Sequence, residues 1–181
     1  MAANTHLLPI KKLTIADVQG LGRVLIDVAN LYPTRFVTER EFFPSVLTYL
    51  TARIPSVDTE VSSAEGKIDL QLRGNNPTWL ELAVQPRIII DTDCPEVRFP
   101  GHESRNSLYA SQNRAELRKL MREPRGGTRF LLLIDFTGNY DSETLRRGYC
   151  AEVKRIGHGK PVRVVLSSQD SSRDDNFLAR A

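Results

Sequence analysis

The chain has 181 residues, of which 40% are hydrophobic and 26% are charged, and its formal net charge at pH 7 is +3. This length and composition predict one globular domain with a sizeable core, and no apolar run approaches the length of a membrane span. The first residues, MAANTHLLPIKKL, do not resemble a secretory signal, and two cysteines make no disulfide framework. We therefore predict a cytoplasmic protein with reduced thiols.

The basic residues are divided unevenly between the two types, with 19 arginines and 6 lysines. Arginine suits bidentate recognition of phosphate better than lysine does, so the excess is compatible with nucleic-acid binding. A GC-rich coding background raises arginine over lysine as well. Both explanations stay open, because a net charge of +3 does not by itself indicate a nucleic-acid partner.

Two helices are predicted before the first strand. Thr14 is a good N-cap, and Asp17 three positions later completes the pattern of a capping box. Apolar residues then recur at helical spacing and predict a helix from about 15 to 30. Because proline is tolerated best at the first helical position, Pro44 predicts that the main part of the second helix runs from about 44 to 53, with 38–43 as a lead-in turn.

Three strands are predicted next, at 57–63, 66–73 and 79–88. Successive side chains on a strand point to opposite faces, so Asp69 lies on the polar face of the second strand and Glu81 on the polar face of the third. If these strands pair antiparallel, the two carboxylates converge. Two carboxylates held together suit a hard cation such as Mg²⁺.

A helix is predicted at 107–122, where three arginines recur every fourth residue and form a basic stripe: Arg114, Arg118 and Arg122. The run at 129–136 is apolar without alternation, which is typical of a strand buried on both faces. A helix at 141–156 and a strand at 162–168 complete the predicted elements, and the polar residues that follow are expected to fray.

The order of elements from about 38 to 168, with Asp69 on one strand and Glu81 on the next, resembles the PD-(D/E)XK, or restriction-endonuclease-like, superfamily. The resemblance implies an α/β fold with an αβββαβ core, a mixed central sheet flanked by helices, here with an extra N-terminal helix. We predict one such domain over 14–168, between a tail at 1–13 and a flexible tail at 169–181. The pattern departs at Ala83, where the family usually has lysine.

The resemblance also implies metal-dependent hydrolysis of phosphodiester bonds in nucleic acid, DNA in preference to RNA, with Mg²⁺ or Mn²⁺ as the cofactor. Asp69, Glu81 and the backbone carbonyl of Leu82 would hold the metal. Glu41 or Glu39, on the helix before the strands, would complete the site, although a capping glutamate needs no further role.

Three residues are candidates to replace the missing lysine. Gln85 lies on the face of Glu81, Lys67 lies on the face of Asp69, and Arg87 is more remote. Gln85 carries no charge and would only position water. Arg87 and the three arginines of the basic stripe are the predicted nucleic-acid contacts, while a solvated charged face is the alternative for the stripe.

The sequence leaves two functions open. One is an active metal-dependent nuclease, which the intact Asp69 and Glu81 favour. The other is a catalytically degenerate module that binds nucleic acid or a protein partner without cleavage, which Ala83 favours. Cutting both strands of a duplex would favour a homodimer or a larger assembly. The loop Gly157-His158-Gly159-Lys160 lacks the spacing of a phosphate-binding Walker A motif.

Overall fold

The computed structural model describes residues 12–32, 39–85, 111–136 and 142–181. Within these ranges the elements follow one another as α1 (Ile15–Leu31), α2 (Glu39–Thr51), β1 (Val57–Ser63), β2 (Gly66–Leu72), β3 (Thr78–Gln85), α3 (Ser111–Arg122), β4 (Thr128–Asp135), α4 (Ser142–Ile156), β5 (Val162–Ser168), a 3₁₀ turn (Ser171–Arg173) and β6 (Asp175–Ala179). No helix in these ranges is long and apolar enough to cross a membrane.

The six strands form one mixed sheet in chain order, β1-β2-β3-β4-β5-β6. The first three strands pair antiparallel, β3, β4 and β5 run parallel, and β6 returns antiparallel to β5. The two parallel connections contain α3 and α4, as expected for strands that need a crossover. The predicted mixed α/β sheet flanked by helices is confirmed.

Helices cover both faces of the sheet and divide the core in two. On one face α1 and α2 pack against side chains such as Leu80 and Leu132. On the other face α3 and α4 pack against side chains such as Trp79 and Leu133. All residues of β4 after Thr128 are buried, because both faces of this strand are covered, as its unbroken apolar run predicts.

Helix α1 begins as predicted, and its position on the sheet depends on a glycine. The Thr14 side chain accepts from the Asp17 backbone, and the Asp17 carboxylate accepts in return from the Thr14 backbone at 2.9 Å. A Cβ at Gly22 would lie 2.1 Å from the Ser167 hydroxyl oxygen. Gly22 therefore weakens the helix as an isolated segment but lets it lie directly on β5.

The predicted start of the second helix is wrong. Helix α2 already includes Glu39, and Pro44 lies inside it. Proline removes one backbone hydrogen bond there, but Phe42, Val46 and Leu50 are fully or almost fully buried along one side of the helix. Their burial offsets the lost bond, so tertiary packing overrides the local preference of Pro44.

The prediction of a flexible tail at 169–181 is also wrong. Asp170 caps the short 3₁₀ turn, and the carboxylate of Asp174 accepts from the backbone N–H of Ser168 at 2.8 Å. Phe177 and Ala179 then alternate into the core beside α4, so the chain adds β6 to the sheet. The segment has only two buried apolar side chains, which is why its polar composition conceals a strand.

Candidate active site

Asp69 lies where β2 and β3 stop pairing. The two strands are paired from Leu72 opposite Thr78 to Leu70 opposite Leu80, and continuing this register by one residue would place Asp69 opposite Glu81. Instead the Asp69 carboxylate accepts from the backbone N–H of Leu82 at 2.8 Å. A side-chain oxygen thus replaces a backbone carbonyl in the ladder, and this substitution holds the Asp69 carboxylate beside β3.

The backbone of β1 is unusual at the same level. Glu60 has a φ of 49°, in the left-handed region that side chains disfavour, and the pairs on either side of it place it opposite Asp69. Ile68 and Leu70, which share a face on a regular strand, pack into different cores. The sheet is therefore distorted around Asp69, and strained backbone of this kind concentrates at functional sites.

Glu81 is buried in the core beneath α3. It lies on the sheet face that carries Trp79 and Ala83, and its residue exposure is 0%. The ammonium nitrogen of Lys119 lies 2.8 Å from its Oε1 atom, which makes an ion pair. Neither carboxylate oxygen has a donor at hydrogen-bonding geometry. A buried carboxylate with so little compensation is costly to the fold.

Lys119 reaches this carboxylate from α3 and is surrounded by oxygen atoms. Its ammonium group also forms an ion pair with Glu116, one helical turn earlier, and donates to the backbone carbonyl of Lys67 at 2.7 Å. Its side chain is only 14% exposed. Two carboxylates and one carbonyl therefore hold the ammonium group in a defined position at the edge of the site.

Burial and neighbouring charges perturb both titrating partners. Burial, followed by the negative charge of Asp69 and then of Glu116, raises the pKa of Glu81 to about 11, while Lys119 acts in the opposite direction. Burial alone would lower the pKa of Lys119, but the negative charges of Glu81 and Glu116 outweigh burial and raise it. Without a metal, burial and the neighbouring carboxylates therefore favour the protonated form of Glu81, while the Lys119 ammonium group favours the charged form.

Counting charges shows what the cluster lacks. Asp69, Glu81 and Glu116 would together carry three negative charges if all were ionised, against one positive charge on Lys119. The balance of −2 is satisfied either by protons or by one divalent cation. Perturbed carboxylates of this kind mark functional sites more often than ordinary surface positions.

The donor set fits Mg²⁺ or Mn²⁺. Within the described ranges, no group of three or more His, Cys, Asp or Glu side chains has the spacing of a preformed metal site. Mg²⁺, however, commonly takes one or two carboxylates and completes its shell with water and substrate phosphate. Asp69 and Glu81 supply two such carboxylates, and the Lys119 ammonium group lies 2.8 Å from the Oε1 atom of Glu81.

The other predicted site residues are distributed around this cluster. The side chain of Lys67 is 64% exposed and turns to Glu60 at 2.8 Å, so Lys67 contributes only its backbone carbonyl. Glu41 is exposed near the start of α2, and the groups that raise the pKa of Glu81 do not include it. Gln85 ends β3 opposite Asp135.

Several of the predictions lie outside the described residues. They concern the side chains of Gln85 and Glu39, and all of Arg87. The carbonyl of Leu82 stays a predicted metal ligand, since the backbone N–H of the same residue contacts Asp69.

Two of the three stripe arginines form internal ion pairs. Arg118 pairs with the buried Glu152 at 2.8 Å, and Arg122 pairs with Glu65 at 2.6 Å. Arg114 is half-buried. The predicted role of the stripe in nucleic-acid binding stays a prediction, but two of its charges are balanced within the protein.

Lys119 and Glu116 are not among the site residues predicted from the sequence, where the candidates to replace the lysine lie on or just after the strands. Two signals were available. Lys119 is one of only 6 lysines, and it follows Glu116 by three positions in the helix that comes after the Glu81 strand. Residues three apart share a helix face, so this spacing indicates that Glu116 and Lys119 can form an ion pair.

Comparison with known protein families finds no match to this chain, and no curated protein sequence matches it significantly.

Proposed function

We propose that this protein is a metal-dependent nuclease with a restriction-endonuclease-like core, which hydrolyses phosphodiester bonds in DNA. The observation that carries the proposal is the 2.8 Å approach of Lys119 Nζ to Glu81 Oε1, next to Asp69. Two carboxylates and a lysine are the groups that the resembling superfamily combines. Here the lysine comes from α3. The succession of α2, β1, β2, β3, α3, β4, α4 and β5 also supports the resemblance.

Asp69 and Glu81 would hold the metal in this proposal. The metal ion would activate a water molecule and balance the charge that develops on the phosphate. Asp69 is fixed for this task by the backbone N–H of Leu82, which leaves its carboxylate beside β3. Glu81 would lose its proton on binding the metal, since a divalent charge replaces the two that the cluster lacks.

Lys119 would orient the attacking water or donate to a phosphate oxygen. A lysine fits this task because its ammonium group has three donors and a flexible stem. Glu116 and the carbonyl of Lys67 hold that ammonium group near Glu81. A donor that is positioned before the reaction stabilises developing charge without reorganisation.

The environment of Ala83 explains why lysine is absent from the usual position. Ala83 is fully buried and packs in the same core as Leu131 and Leu133. A lysine side chain at this place would displace core residues and bury an ammonium group, which is costly. Replacing Ala83 by lysine is therefore expected to destabilise the fold rather than to raise activity.

A catalytically inactive, nucleic-acid-binding or protein-binding module is the second candidate. The ion pair between Glu116 and Lys119 favours this candidate, since an ammonium group engaged in an ion pair is less free to act on a substrate. In that case Lys119 would take the place of the metal charge, and the cluster would be purely structural.

Cleavage assays decide between these candidates. Purified protein is incubated with supercoiled plasmid, linear duplex, single-stranded DNA and RNA in Mg²⁺ or Mn²⁺, with a chelator as the blank. The nuclease proposal expects metal-dependent cleavage that Asp69→Asn and Glu81→Gln each abolish. Activity that survives Asp69→Asn would mean that another site cuts. No cleavage of any substrate by the wild type would favour the inactive module.

A further inference from the structure

A concave surface lies at the C-terminal end of α3, the helix that carries Lys119. This groove has a volume of about 570 Å³ and is formed by the end of α3, the β1–β2 turn and the loop after α4. Its walls include Glu65, Met121, Arg122, His158, Gly159 and Lys160. The loop is the Gly157-His158-Gly159-Lys160 segment, whose role the sequence pattern left unassigned.

Specific contacts hold the loop against α3. The backbone N–H of Lys160 donates to the carbonyl of Met121 at 2.8 Å. A Cβ at Gly159 would lie 2.9 Å from the end of the Met121 side chain, and Gly157 has a φ of 77°. The two glycines therefore allow a close approach and a left-handed turn. The contacts give the loop a defined shape in which His158 and Lys160 are exposed.

The charges of the groove leave its loop side positive. Both acidic groups in the wall form ion pairs: Glu65 with Arg122 at 2.6 Å, and Glu123 with Arg125 at 2.5 Å. Among the described residues, no carboxylate lies within ion-pairing distance of Lys160. The groove thus presents the ammonium group of Lys160, the imidazole of His158 and exposed backbone, a combination suited to phosphate.

The groove begins close to Lys119, since Arg122 in its wall lies on the same helix. Lys119 and Arg122 are three residues apart on α3, which corresponds to about 4.5 Å along the helix axis. The side chain of Lys119 also passes the β1–β2 turn, since a Cβ at Gly66 would lie 3.7 Å from its Cδ atom. A strand that enters the cluster can therefore extend over this turn into the groove.

We propose that the groove binds backbone phosphates of the nucleic-acid strand, on one side of the bond that is cut. The identity of this ligand rests on the proposed nuclease function, and the geometry adds where the flanking strand runs. Lys160 and His158 are the residues that contact phosphate, and the two glycines position them. Contacts to phosphate carry no base information, so they set affinity and register rather than sequence preference.

The test measures binding without cleavage. A short fluorescein-labelled DNA duplex is titrated with wild-type protein and with the double variant His158→Ala/Lys160→Ala, in a chelator and over a range of salt. We expect about a 10-fold loss of affinity and a salt slope lower by about 1 to 2, as for the loss of one or two phosphate contacts. Circular dichroism confirms that the variant is folded.

The matched control is Lys154→Ala, an exposed lysine on α4 that lies outside the groove wall. It removes the same charge, so its affinity should stay within about twofold of wild type after a salt correction. Equal losses in the control and in the double variant would mean that only net charge matters, and would overturn the inference. So would an unchanged affinity in the double variant, or no binding by the wild type.

The two proposals fail in different ways. Binding that depends on His158 and Lys160, without any metal-dependent cleavage, would refute the nuclease function and retain the phosphate groove. Cleavage that depends on Asp69, without an effect of the double variant on binding, would retain the nuclease and refute the groove.

Discussion

The ammonium nitrogen of Lys119, on helix α3, lies 2.8 Å from a carboxylate oxygen of Glu81, on strand β3. This contact joins a helix and a strand that are separated by a long connection in the chain. It brings a lysine to Glu81, whose own strand has Ala83 at the position where the resembling superfamily usually has lysine. The proposed function depends on this contact more than on any sequence pattern.

The first prediction concerns pH. The raised pKa of Glu81 means that the folded protein keeps a proton that the unfolded chain releases above a pKa of about 4.5. The raised pKa therefore favours folding fully below about pH 4.5. As the pH rises from there toward the folded-state pKa, keeping Glu81 protonated becomes a growing penalty on the stability of the folded protein. Glu81→Gln removes this penalty, so the variant should gain roughly 1–3 kcal/mol at pH 8 and much less at pH 5.

Thermal unfolding of Glu81→Gln and wild type at pH 5 and pH 8 measures this gain in stability. The expected gain corresponds to a melting temperature higher by about 3–8 °C at pH 8 in a domain of this size. Glu143→Gln is the control, because the Glu143 side chain is 79% exposed and its weak ion pair with Arg147 spans 3.9 Å. A Glu81→Gln variant that loses stability equally at both pH values would contradict the assigned cause.

The second prediction concerns metal binding without substrate. Calorimetry with Mn²⁺ should show binding that strengthens as the pH rises and releases protons, because Glu81 must lose its proton to serve as a ligand. Comparing two buffers with different ionisation enthalpies measures the protons released. Asp69→Asn should abolish the binding, whereas Asp58→Asn, on β1 and paired with Arg73, should not. Binding that is independent of pH would contradict the role of Glu81.

The third prediction concerns the strained residue on β1. Glycine adopts a positive φ without steric cost, so Glu60→Gly should raise the melting temperature of the protein. The neighbouring Thr59 has ordinary strand backbone, so Thr59→Gly should lower stability by about 0.5–1 kcal/mol. Equal losses in the two variants, measured by thermal unfolding, would mean that the backbone at Glu60 is not strained.

Local patterns in the sequence were sufficient for most elements of the fold. Strands β1 and β5 have the bounds that the sequence predicts, and the capping box at Thr14 marks the start of α1. These features depend on neighbours within a few residues. The αβββαβ succession follows from the same local patterns, and the sheet order then places β3 and β4 side by side.

The remaining features depend on contacts between distant residues. Pro44 inside α2 is tolerated because Phe42 and Val46 are buried, which no local rule indicates. Strand β6 exists because β5 offers it an edge and α4 covers Phe177. A polar segment of five residues carries too little pattern to show this on its own.

The candidate site likewise combines features that local sequence patterns predict with features that depend on distant contacts. Alternation along two strands is enough to bring Asp69 and Glu81 together, because pairing and register are local properties of a hairpin. The partner of Glu81 depends on how α3 crosses β3, which follows from the packing of Leu117 and Leu120 in the core. The basic stripe was visible in the sequence, but the ion pair of Arg118 with Glu152 was not.

The most direct test of the central claim compares two lysines of the same protein. Lys119→Met removes the ammonium group beside Glu81, while Lys67→Met removes an exposed ammonium group that pairs with Glu60. Cleavage rates are measured in Mg²⁺ with saturating DNA. The account predicts that Lys119→Met lowers the rate by about 10²–10³-fold, the cost of removing one preorganised donor, and that Lys67→Met stays within about twofold of wild type. Unchanged cleavage in a folded Lys119→Met variant, or an equal loss in both, would contradict it.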